Sequence, residues 1–208
     1  CYAPHLVLPK EIKKQLHPHT KFGVGAGISQ KEFFDFLEER KGLLEGIVLC
    51  GGECTIHKDL PGFVKKIKKL GYLIKLDTNG SNPAMLKKLI DEKLIDYVAM
   101  DIKQSQKYDE ATGVKVDLGK IKKSIEIIKK SGINYEFRTT VVPTIHTKED
   151  IIKIAEWIGG KNVKYYLQNF RPEKTIDPKF KKVKPYPEEY LLEIQKAVSP
   201  FFEICRVR

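Results

Sequence analysis

The sequence predicts an α/β fold on a mainly parallel sheet, either doubly wound or formed as a whole or partial (β/α) barrel. Three observations carry this. Short apolar runs alternate with segments of helical periodicity along the chain. Strands separated by helices call for right-handed crossovers, which make neighbouring strands parallel. The length of 208 residues suits one large domain spanning 1–208, and no linker or low-complexity stretch divides it.

The elements follow in order. Ser29 to Arg40 opens with an N-cap serine and sets Phe33, Phe34, Phe36 and Leu37 at helical spacing. Ile47 to Cys50 reads as a short buried strand, with Cys50 as a small hydrophobe within it. Leu60 to Leu70 reads as a helix stopped by Gly71. Tyr72 to Leu76 is a strand, and Asp77-Thr78-Asn79-Gly80 the turn after it. Pro83 to Glu92 is a helix with proline in its first turn. Tyr97 to Met100 is a strand, Leu118 to Lys130 a helix, and Asn134 to Val142 a strand ended by Pro143. Lys148 to Ile158 is a helix stopped by Gly159, and Val163 to Gln168 a strand. Arg171 to Pro187 reads as a surface loop, Pro187 to Val198 as a helix, and Phe201 to Val207 as a last strand.

Composition narrows the function classes. Hydrophobic content of 41% and charged content of 31% describe a globular protein. No apolar run approaches the roughly 20 residues of a membrane span, and the opening residues lead us to expect no secretory signal. Four scattered cysteines make no disulfide scaffold, so a reducing, cytoplasmic setting is expected. The net charge of +11 comes mostly from dispersed lysines and reads as solvated helix faces. It allows nucleic acid without favouring it.

In parallel α/β architectures, ligands bind at the carboxyl ends of the strands. Gly51-Gly52-Glu53, Asp77-Thr78-Asn79-Gly80, Asp101-Ile102-Lys103, Arg138 and Gln168-Asn169 fall at five successive strand ends. One polar strand end is ordinary. Five together suggest a ligand of both charge signs, with Glu53 or Asp77 for an ammonium and Lys103 or Arg138 for a carboxylate. Cys50 and Cys54 do not have zinc-ribbon company. His57 and His146 follow strand ends, where capping or surface roles are expected and proton transfer is the sharper alternative. His17 and His19 read as loop residues.

The stretches VLCGGECTIHKDLPGFVKKIKKLGYLIKLDTNGSNP and DYVAMDIK resemble the radical S-adenosylmethionine (SAM) superfamily. Within it the chain is similar to glycyl-radical enzyme activating enzymes, nearest the anaerobic ribonucleotide reductase activating type. The resemblance implies a partial (β/α) barrel of the radical SAM type. It implies that Gly51, Gly52 and Glu53 hold the methionine amino group of SAM. Asp77 and Thr78 match the rim loop near the methionine carboxylate, where some relatives place a monovalent cation. Asp101 and Lys103 match the next pair, with Lys103 near the carboxylate. Arg138 matches a further ligand contact, and Gln168 and Asn169 the adenosine side. The family's C-x3-C-x2-C motif, which carries a [4Fe–4S] cluster, is absent as such. Cys1 matches its third cysteine, so the first strand and two cluster cysteines are expected upstream of residue 1. Cys54 stands where the family usually has proline, and Tyr2-Ala3 where relatives often have His-Asn.

The implied activity is reductive cleavage of SAM to a 5′-deoxyadenosyl radical. That radical would take a hydrogen atom from a glycine of a partner, with ferredoxin or flavodoxin as reductant. Two other readings stay open. One is a radical SAM enzyme acting on a small molecule or tRNA. The other is a cluster-free barrel that binds a nucleotide or sugar phosphate.

Overall fold

The computed structural model describes residues 28–173, 175 and 177–208. Cys1, His17 and His19 lie outside the described residues. Helix α1 spans Gln30–Glu39, with a capping box in which Ser29 and Glu32 satisfy each other's backbone N–H groups. Then come β1 (Gly46–Leu49), a 3₁₀ turn (Cys54–Ile56), α2 (Leu60–Lys69), β2 (Leu73–Thr78) and α3 (Pro83–Asp91). They are followed by β3 (Tyr97–Asp101), α4 (Tyr108–Thr112), α5 (Leu118–Lys130) and β4 (Asn134–Val141). The chain closes with α6 (Lys148–Ile158), β5 (Gly160–Asn169), a 3₁₀ turn (Pro178–Lys182), α7 (Glu188–Val198), a 3₁₀ turn (Ser199–Phe201) and β6 (Phe202–Val207).

The six strands form one sheet in the order β1-β2-β3-β4-β5-β6, and every neighbouring pair is parallel. That order decides between the two architectures the sequence leaves open. A doubly wound sheet reverses its strand order to cover both faces. An order without reversal, with right-handed crossovers, stacks every helix on one face and curls the sheet into an open, partial barrel.

Period-two alternation divides each strand between the two faces. Ile74 and Leu76, Val98 and Met100, Phe137 and Val141, and Tyr165 and Leu167 pack outward into the core. Val64 and Ile67 of α2, Leu86 and Leu89 of α3, Ile121, Ile125 and Ile128 of α5, Ile151, Ile154 and Ile158 of α6, and Leu191 and Ile194 of α7 meet them there. The other face carries Lys75 and Asp77, Tyr97 and Asp101, and Glu136 and Arg138, all placed on one side by register. Among the described residues, no helix is long and apolar enough to cross a membrane.

Three expectations need correction. The first strand is not buried: β1 is an edge among the described strands, and Val48 is 52% exposed. Cys50 follows that strand and is exposed, so it is no core hydrophobe. Asp77 and Thr78 belong to β2 and not to a turn, because ladder pairing continues through Asp77↔Ala99 and Thr78↔Met100. Helix α4 is an addition that the sequence reading lacks.

Candidate active site at the carboxyl rim

Asp77, Asp101 and Arg138 stand at the ends of three adjacent strands. Arg138 Nε donates to Asp101 Oδ1 and Nη1 to Asp77 Oδ2, each at 2.9 Å. Asp101 is the register partner of Arg138, whereas Asp77 lies one strand further away and is paired with Ala99. The small, fully buried Ala99 gives the guanidinium room to cross β3. Lys103 extends the string, its Nζ 2.8 Å from Asp101 Oδ2. Burial works to raise the Asp101 pKa, but the charges of Lys103 and Arg138 overcome it and hold this carboxyl below its usual value. Burial opposes the charge on Arg138 too, and Asp101 and Asp77 more than offset it. Asp77 Oδ1 is buried without a hydrogen-bond partner, with Lys75 Nζ at 3.8 Å its ion-pair neighbour.

Glu53 serves a second cluster. Its Oε1 accepts from Thr55 Oγ1 at 2.6 Å, Thr55 N–H at 3.2 Å and Thr78 Oγ1 at 2.9 Å. Its Oε2 accepts from Asn79 N–H at 2.6 Å. The carboxylate therefore caps the 3₁₀ turn and staples the loop after β1 to the end of β2. Gly51 and Gly52 remain exposed before it, and Gly51 has φ 141°, a conformation that favours glycine. Gln168 is half-buried on β5 opposite Thr140, and no hydrogen bond joins it to either cluster among the described residues. Asn169 donates to the Tyr186 carbonyl at 2.9 Å and leaves its own oxygen buried and unpartnered.

Beneath the rim lies a layer that the sequence reading misses. Glu136 accepts from Tyr97 Oη at 3.0 Å and from both Arg208 Nη atoms at 3.1 and 3.3 Å, and it pairs with Lys75 at 3.4 Å. The Arg208 guanidinium also lies 3.4 Å from the centre of the Tyr166 ring. Two signals pointed here: Lys75 with Asp77 and Glu136 with Arg138 are each two apart, so each pair shares a strand face. His146 is also different from expectation. It is neither a surface nor a capping residue but is buried, with hydrogen bonds to Val142 N–H at 3.0 Å and the Lys103 carbonyl at 2.6 Å. His57 is exposed and ends the first 3₁₀ turn.

The rim residues suit a zwitterion, since they set a buried acceptor without a donor beside bound cations. The three described cysteines do not suit an iron–sulfur cluster. Among the described residues, no group of three or more His, Cys, Asp or Glu could hold a metal ion. Burial and the Glu53 charge push the Cys54 thiol up to about 12, so it stays protonated.

Fold and rim together define a partial (β/α) barrel with a charged site at its carboxyl end. The chain belongs to the radical SAM superfamily: the model of that family matches residues 1–158. It is thereby an enzyme of radical SAM type, and the family implies SAM and a [4Fe–4S] cluster. It is 35% identical over 191 residues to a Methanocaldococcus jannaschii protein provisionally named a glycyl-radical enzyme activating enzyme, covering 88% of this chain and 77% of that one. A second M. jannaschii protein with the same provisional name is 28% identical over 165 residues, covering 73% of this chain and 62% of that one. In structure, the chain is similar to a domain of pyruvate-formate lyase-activating enzyme from Bacteroides vulgatus, with a TM-score of 0.61 and 16% identity over 78% of this chain and 98% of that one. It is also similar to Streptococcus suis SuiB bound to S-adenosylmethionine, with a TM-score of 0.59 and 17% identity over 86% of this chain and 41% of that one. At these identities the structural likenesses bear on the fold alone.

Proposed function

We propose that residues 1–208 are the single core domain of a cytoplasmic radical SAM enzyme that generates a glycyl radical on a partner protein such as anaerobic ribonucleotide reductase. The observation that carries this reading is the string Asp77–Arg138–Asp101–Lys103 across three adjacent strand ends of a radical SAM chain. Asp77 Oδ1, which is buried and accepts no hydrogen bond, suits an ammonium or a monovalent cation. Lys103 and Arg138 answer the carboxylate of the ligand. Glu53, held by Thr55, Thr78 and Asn79, orients the Gly51-Gly52 backbone toward the amino group. Gln168 stands on the adenosine side, and Cys1 is one thiolate ligand of the cluster. When bound, a reduced [4Fe–4S] cluster and SAM supply the one-electron cleavage that yields a 5′-deoxyadenosyl radical. The relative named as an activating enzyme supports a glycyl-radical enzyme as the acceptor, and ferredoxin or flavodoxin as reductant completes the reading.

The test uses protein from the full reading frame, reconstituted anaerobically and given dithionite and SAM. We expect 5′-deoxyadenosine by chromatography, and its loss in Cys1→Ala. A well-formed cluster without cleavage overturns the reading. Adding anaerobic ribonucleotide reductase should give the electron paramagnetic resonance doublet of a glycyl radical. Cleavage without a radical on any glycyl-radical enzyme supplied shifts the target to a small molecule or tRNA.

A further inference from the structure

The last ladder bond of β3 runs from Ile102 N–H to the Arg138 carbonyl at 2.8 Å. Lys103 lies beyond it, yet both of its backbone groups are held. Its N–H donates to Tyr108 Oη at 3.3 Å, and its carbonyl meets His146 Nε2 at 2.6 Å. Tyr108 comes from α4 and His146 from the loop after β4, and each is only 3% exposed. Two elements, one 5 and one 43 positions along the chain from Lys103, thus close on the residue whose ammonium stands on the rim.

The histidine's tautomer follows from its partners. Nδ1 accepts from Val142 N–H, so the proton sits on Nε2 and is donated to Lys103. Burial lowers its pKa and keeps the ring neutral. The clamp is itself backed. Tyr186 Oη donates to the His146 carbonyl at 3.0 Å and the Pro143 carbonyl at 3.3 Å, and Asn169 at the end of β5 donates to the Tyr186 carbonyl.

We infer that His146 and Tyr108 are positioning residues for Lys103, fixing where its ammonium stands against Asp101 and against the carboxylate of a bound ligand. The inference rests on the reading of Lys103 as a ligand contact given above. Neither side chain touches the ligand, and each acts through the Lys103 main chain.

Two substitutions of one residue separate positioning from mere packing. In His146→Gln the amide nitrogen takes the place of Nε2 and keeps the donor to Lys103. In His146→Asn the amide oxygen takes the place of Nδ1 and keeps the acceptor for Val142, but the donor is lost. SAM affinity of the full-length, cluster-loaded protein is measured by calorimetry, with thermal midpoints alongside. His146→Asn and Tyr108→Phe should each weaken SAM by about fivefold, the scale of one net hydrogen bond, and His146→Gln should recover most of the loss. Equal affinity loss in His146→Gln and His146→Asn would mean a packing role and overturn the inference. So would unchanged affinity in His146→Asn and Tyr108→Phe while Lys103→Met binds SAM weakly. Should the histidine variants fail to fold, Tyr108→Phe, which removes one oxygen, carries the test alone. If Lys103→Met binds SAM normally, the ligand reading of Lys103 falls first and takes the inference with it.

Discussion

Arg138 reaches Asp77 across an intervening strand, donating Nη1 to its Oδ2 at 2.9 Å. The two residues are 61 positions apart in sequence, and Asp101 between them takes the same guanidinium at Nε. One cation thus ties β2, β3 and β4 together at the rim where the site stands. The arrangement serves stability and ligand binding at once, and the two can be measured apart.

Arg138→Met should therefore cost both. It leaves Asp77 with only the longer Lys75 contact at 3.8 Å and Asp101 with Lys103 alone, and breaking a buried charge pair by removing one partner is costly. Because the site is partly open, we expect a loss of about 2 kcal/mol in urea unfolding, below the roughly 3–5 kcal/mol of a fully buried pair. The double variant Arg138→Met/Asp77→Asn should regain part of that stability and none of the SAM affinity. Full stability in Arg138→Met would show that the string contributes only to binding.

Glu136 gives the acid limb of the stability curve. Its burial favours the neutral acid, but the Arg208 fork, the Lys75 charge and the Tyr97 hydroxyl outweigh that and lower its pKa. Asp101 is lowered as well. The unfolded chain then binds more protons than the folded one between the two sets of values, so stability rises with pH there. Their contribution is complete above the unfolded carboxyl range of about pH 4–5 and is lost as pH falls through the lower folded values. Denaturation midpoints from pH 7 to pH 2 should show this decline, and Glu136→Gln should flatten it. An acid limb unchanged in Glu136→Gln would remove Glu136 as a contributor.

Local signals made most of the architecture legible. Ser29 and Thr147 each begin a capping box, Asp117 caps α5, and Gly71 follows α2 with φ 92°. The helices over Leu118–Lys130 and Lys148–Ile158 have the bounds their periodicity predicts. Asp77 and Thr78 misread as a turn because Asp77 is a poor strand former and Asn79-Gly80 follows directly, and their place in β2 depends on pairing with β3, which is not local. The rim residues were legible because strand ends in a parallel fold share one side. Which carboxylate meets which cation was not, because Glu136 reaches Lys75 and Arg208 only through the registers of distant strands. His146 read as a capping or surface residue because nothing near it in sequence announces Lys103 as its partner.

Cysteine reactivity should divide sharply. The Cys54 thiol lies 3.6 Å from the Asp77 carbonyl and 3.9 Å from that of Leu49, and burial with the Glu53 charge pushes its pKa to about 12. Burial also pushes Cys205 up, to about 11. Cys50 is exposed. Iodoacetamide at pH 8 followed by mass spectrometry should therefore modify Cys50 and spare Cys54 and Cys205 in the folded protein. Labelling of Cys54 at the rate of Cys50 would contradict its place between the two carbonyls.

Gly80 sets the geometry of the turn behind Glu53. Its φ is 75°, and a Cβ there would collide with the Met100 methyl and stand 3.0 Å from the Met100 sulfur. Its carbonyl is held by Ser124 Oγ at 2.7 Å, so the turn has little freedom to move away. Gly80→Ala combines a left-handed backbone, which costs about 1–2 kcal/mol, with overpacking, which costs about 1–3 kcal/mol. The expected loss is about 2–4 kcal/mol in urea unfolding. Gly80→Ala/Met100→Ala should not restore the native midpoint, because Met100→Ala relieves the collision but leaves the strained φ and adds a core cavity of its own. In a double-mutant cycle the two substitutions should nonetheless couple favourably, losing less together than the sum of the single losses. Strict additivity would mean that the alanine methyl never meets Met100. The turn would then have opened, and Asn79 N–H would no longer be held against Glu53.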